Sequence, residues 1–133
     1  ASRCSPTRSR SMQRELLLLR EMREAAVAIR DLVGDRTAEQ VDAETLRRSA
    51  LLWHFTVLGE AASQMPAGTK AAHPQIAWHG ATRLRNRIVH GYWDIDVEIL
   101  VATAVEDLPR MIRDLEDALS SALHDSEGEE PPT

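Results

Sequence analysis

Arginine, asparagine, histidine and tyrosine, the residue types suited to holding an anion and moving a proton beside it, gather in the stretch Arg85-Asn86-Arg87-Ile88-Val89-His90-Gly91-Tyr92. Leu84, Ile88 and Val89 fall at helical spacing, so the stretch is predicted to form the last turns of a helix stopped at Gly91, with the glycine in a left-handed C-cap conformation. Asn86 and His90 are four residues apart and share a helix face. Arg85 stands five residues before His90, and its long side chain can reach the same spot. The three can converge on one anion. A histidine at a helix end also has a plainer explanation, since its cation suits the helix dipole, and Arg87 and Arg83 read equally well as surface or phosphate-binding cations.

Charge placement favours the anion. The 133-residue chain has a net charge of −5, which argues against a protein that coats nucleic acid. Between Ala61 and Trp93, however, there is no Asp or Glu, and that interval carries Lys70, Arg83, Arg85 and Arg87 with His73, His79 and His90. His54, His73, His79 and His124 lack metal-ligand spacing, so no metal site and no cofactor are expected. The lone Cys4 allows neither an intrachain disulfide nor a multi-cysteine zinc site, which fits a reducing cytoplasm. The longest apolar runs, such as Leu16 to Leu19, are far too short to cross a bilayer.

The elements that must position the stretch are all helical, for no segment alternates like a strand. Residues 1–10 read as a disordered leader without periodicity, residues 11–123 as one domain and residues 124–133 as a disordered acidic tail. From about Ser11 to Val33, the residues Leu16, Leu19, Met22, Ala26, Ile29 and Val33 form an apolar stripe, ended by Gly34. Thr37-Ala38-Glu39-Gln40 has the capping-box pattern. A second helix is predicted from roughly Val41 to Met65. Leu46, Ala50, Trp53, Val57 and Ala61 lie on one side of it, and Leu52, Phe55, Leu58, Ala62 and Met65 widen that side. Gly59, Ala61, Ala62 and Ser63 would let another backbone approach closely, and Glu60 can pair with a motif arginine or stand solvated. Pro66-Ala67-Gly68 should break this helix, and His73-Pro74 opens the segment leading to the motif, with an interruption expected near Gly80. Asp94 and Asp96 are N-cap candidates for a long last helix through Ile95, Ile99, Ala102, Val105, Ile112, Leu115 and Leu119, kinked at Pro109. The result is an all-α bundle of four to five helices. Trp53, Trp78 and Trp93 can serve either its core or a self-complementary two-fold interface.

Taken together, Gly59-Glu60-Ala61, His73-Pro74, Trp78, the Arg85 to Tyr92 stretch and Asp94-Ile95-Asp96 resemble the HepT-like branch of the HEPN superfamily. Its most specific element is Arg-x-x-x-x-His-x-Tyr, here Arg85, His90 and Tyr92. The resemblance implies an α-helical homodimer acting as a metal-independent RNase toxin, with RNA as substrate and a small MNT-type nucleotidyltransferase as antitoxin. It further implies that the antitoxin transfers AMP from ATP onto Tyr92. The chemistry is consistent without the family. RNA carries its own nucleophile, the ribose 2′-hydroxyl, so cleavage needs a proton acceptor, a proton donor and positive charge at phosphorus. His90 suits the proton roles, Arg85 the phosphate, Asn86 positioning and Arg87 further phosphate contact. A two-fold dimer that apposes the motifs would bring two Arg85-His90 pairs into one cleft. A non-catalytic RNA- or nucleotide-binding module, or the partner subunit of a nucleotidyltransferase, would show the same basic features.

Overall fold

The computed structural model describes residues 6–92 and 94–128. Cys4, Trp93 and the outer ends of the leader and tail lie outside them. The described residues form seven helices and no strand: α1 (Pro6–Val33), α2 (Ala38–Ala43), α3 (Thr45–Gln64), α4 (Ala67–Ala72), α5 (Trp78–His90), α6 (Val97–Glu106) and α7 (Leu108–Gly128). Two of them, α2 and α4, are short helices of six residues each. The remaining five make the all-α bundle the periodicity predicts.

Helix α1 is its axis, packed against α3 on one side and α7 on the other. Leu19, Met22, Ala26, Ile29 and Val33 of its stripe are essentially inaccessible, facing Leu51, Leu52, Phe55, Leu58 and Ala62 from α3 and Leu108, Ile112, Leu115 and Ala118 from α7. Each of these side chains larger than alanine contributes about 1.5–3 kcal/mol by leaving water. Gly34 stops α1 at φ 53°, the left-handed conformation that glycine adopts without a Cβ penalty. The capping box then starts α2, with Gln40 N–H donating to Thr37 Oγ1 at 3.2 Å and Thr37 N–H to Gln40 Oε1 at 2.9 Å.

The element boundaries differ from the sequence reading at several points. Helix α1 begins at Pro6, inside the stretch read as leader, because proline is tolerated at a first helical position and polar residues suffice to continue the backbone ladder. The expected single helix over 41–65 is divided at Glu44, whose φ −101° and ψ 95° are extended. Gly80 does not interrupt α5. Gly91 caps α5 without entering the left-handed region: at φ −145° its N–H donates to Arg87 O at 2.9 Å, and its own carbonyl accepts from Asp94 N–H at 2.9 Å. Pro109, which lacks the N–H that would bond Val105, interrupts the last helix at one residue. Asp107 keeps right-handed helical dihedrals, φ −103° and ψ −37°, between α6 ending at Glu106 and α7 starting at Leu108. Helix α7 runs past Leu123 through the first residues assigned to the tail. No helix among the described residues is long and apolar enough to cross a membrane.

Candidate functional site

The motif helix is held by contact with α3 and by its own entry loop. The Trp78 indole N–H donates to His73 O at 3.0 Å, fixing the His73-Pro74 turn from which α5 departs. Ile88 and Ala81 face the core. Where α5 crosses α3, the backbones meet at Gly59. A Cβ placed there would lie 2.2 Å from Arg85 Cβ and 2.5 Å from the Ala81 carbonyl oxygen. No other residue type fits without separating the helices.

That close approach sets the electrostatics of the site, because it places the residue after Gly59 beside Arg85. The Arg85 guanidinium lies 3.0 Å from Glu60 Oε2 through one terminal nitrogen and donates to Asn86 Oδ1 at 2.9 Å through the other. Its Nε is buried and has no hydrogen-bond partner among the described residues. Arg85 is thus oriented from two sides, and the Asn86 amide nitrogen is left as a donor. Glu60 is itself anchored by Gln64, which donates to Oε1 at 2.9 Å. The pairing of Glu60 with a motif arginine, one of its two readings from sequence, is the one the fold adopts.

His90 stands apart. It is exposed at the end of α5, and its side chain makes no hydrogen bond or ion pair among the described residues; the same holds for the side chains of Arg87 and the exposed Tyr92. At about 3.6 residues per turn, Arg85 and His90 point about 140° apart around the helix, with Asn86 between them. One chain therefore joins Arg85, Asn86 and Glu60 but does not close Arg85 and His90 onto a common point. Among the described residues no three His, Cys, Asp or Glu side chains group in a way that could hold a metal ion.

Beside this cluster runs an unpartnered apolar line. Leu46 and Trp53, seven residues apart on α3, are 87% and 63% exposed, so the side of α3 assigned to the core from sequence is partly an outer face. Trp53 and Glu60 line the same groove against α1. On α5, Val89 is also half-exposed.

The chain is an all-helical bundle whose α5 presents arginine, asparagine and histidine beside a helix-crossing glycine, and comparison with known sequences identifies its family. The family described as Ribonuclease HepT-like matches residues 22–118, and the chain belongs to that family, which is of the HEPN type. It is 28% identical over 93 residues to the "Probable ribonuclease HepT" of Thermococcus cleftensis, a match covering 70% of this chain and 84% of the relative. It is also 28% identical over 100 residues to a "Putative RNase" of Methanocaldococcus jannaschii, covering 75% of this chain and 79% of that relative. No solved structure matches the chain.

Proposed function

We propose that this chain is a metal-independent endoribonuclease, the toxin of a type II toxin-antitoxin pair in the cytoplasm, whose site is completed across a two-fold homodimer. The observation that carries the reading is the state of Arg85: a cation oriented by Glu60 and Asn86 but separated around α5 from His90, with unpartnered apolar side chains alongside. A second copy seated on Leu46, Trp53 and Val89 would cover those side chains and bring a second His90 toward the first. One His90 then removes the proton of a ribose 2′-hydroxyl, which attacks phosphorus. The other protonates the departing 5′-oxygen as the P–O5′ bond breaks, leaving a 2′,3′-cyclic phosphate. Arg85 offsets the charge on the phosphorane, and Arg87 contacts a neighbouring phosphate.

The test is a labelled RNA strand incubated in chelator with wild-type protein and with Trp53→Asp. Wild type is expected to cut as a dimer. Trp53→Asp, which sets two carboxylates against each other across the interface, is expected to be monomeric by light scattering and at least about tenfold slower. A monomeric wild type that cuts, or a Trp53→Asp protein that dimerises and cuts normally, contradicts the composite site.

Tyr92 is the proposed point of control. Its exposed ring at the end of the motif leaves the hydroxyl open to an MNT-type nucleotidyltransferase, and AMP transferred there places an anionic, bulky group beside Arg87 and His90, where RNA must sit. Tyr92→Phe is expected to keep cleavage while accepting no label from radioactive ATP in the presence of the transferase. Labelling of the Phe variant would contradict that assignment.

A further inference from the structure

The side of α5 turned away from Glu60 opens onto a second feature, of which the proposed cleavage chemistry uses only Arg87. Helix α5 is held firmly by α3, whereas toward α6 and α7 it leaves an open cleft of about 520 Å³. The floor of the cleft is apolar, formed by Phe55, Leu58, Ile76 and Met111. Its two walls carry opposite character. Arg83 and Arg87 line it from α5, while Glu106, Asp107 and Asp114 line it from the α6–α7 junction, with Arg110 among them. Among the described residues none of these arginines has a carboxylate within 4.0 Å, so the charges face one another across the gap without pairing.

An apolar floor between a cationic wall and a mainly acidic wall suits a nucleotide. Its phosphate suits Arg83 and Arg87, its base suits the apolar floor, and exocyclic amino groups on the base suit carboxylate acceptors. The cleft is also in line with the proposed scissile position. Arg83, Arg87 and His90 follow one another along a single face of α5, the first two about 6 Å apart along the axis. We infer that this cleft is a nucleotide subsite, holding one base of the RNA strand next to the phosphate presented to His90 and favouring bases with an exocyclic amino group. The inference rests on the ribonuclease reading for its choice of RNA. Uracil, which has no such amino group, would be held less well than cytosine, of similar size.

The experiment is fluorescence anisotropy with hexacytidylate and hexauridylate RNA on full-length protein carrying His90→Ala, so that no strand is consumed. Arg83→Glu reverses one wall, and Ala77→Trp, at an exposed position on the cleft rim, fills the space. Each is expected to weaken hexacytidylate binding about tenfold or more with the melting curve unchanged, and the parent is expected to bind hexauridylate several-fold more weakly than hexacytidylate. Parent-like binding by both variants, equal affinity for the two strands, or no binding by the parent overturns the subsite. Wild-type cleavage, measured in parallel, separates the two claims: cutting without cleft-dependent binding removes only the subsite, and cleft-dependent binding without cutting removes only the ribonuclease.

Discussion

His90→Ala should lose RNA cleavage by at least about 100-fold, the usual scale for removing a general acid or base, while the protein stays folded. His90 is the exposed last residue of α5 and its side chain has no hydrogen-bond partner among the described residues, so truncation opens no cavity and orphans no buried group. At most it forfeits a favourable charge at a helix C-terminus, worth about 0.3–1 kcal/mol when the imidazole is protonated. Single-turnover cleavage of a labelled strand together with a thermal melt separates the two effects. If cleavage fell only in proportion to lost folding, or persisted, His90 would have no proton to transfer.

The largest structural effect is expected at Gly59. In Gly59→Ala the new methyl would lie 2.2 Å from Arg85 Cβ and 2.5 Å from the Ala81 carbonyl oxygen. Since one of these atoms is backbone, no rotamer change relieves the clash and α5 must move away from α3. Overpacking of this kind costs about 1–3 kcal/mol or more, which lowers the melting temperature of a domain this size by roughly 10 °C. The displacement also pulls Arg85 from Glu60, so cleavage at a temperature where the variant is fully folded should fall as well. Gly68→Ala is the control, because a Cβ there meets nothing within 4 Å. Equal melting of Gly59→Ala and wild type would mean that the α3–α5 crossing is not what holds the motif helix.

Both expectations start from residues whose meaning is legible in the sequence. The α1 stripe, the Thr37 capping box, the helix ending at His90 and a close backbone approach at Gly59 are local or periodic signals, and local chemistry determines them. Other features depend on tertiary arrangement. The side of α3 bearing Leu46 and Trp53 has the same helical spacing as a core stripe, and periodicity cannot tell burial within one chain from exposure on an outer face. Helix α4 is too short to show a stripe. Gly91 could cap α5 in more than one backbone conformation. The cleft beside Arg83 exists only because α5 leans on α3 and leaves α6 and α7 uncovered. Glu60 could be named as a partner for a motif arginine, but which one is decided by the crossing at Gly59.

The central claim is that this chain cleaves RNA through the strand's own 2′-hydroxyl. Its most direct test is the chemistry of the ends produced when purified wild-type protein acts on RNA, and on the all-deoxy strand of the same sequence, in excess chelator. The expected result is RNA fragments ending in 2′,3′-cyclic phosphate with 5′-hydroxyl partners, and an intact DNA strand. Cleavage of the DNA, 3′-hydroxyl ends on the RNA fragments, or activity restored only by added metal would contradict the claim.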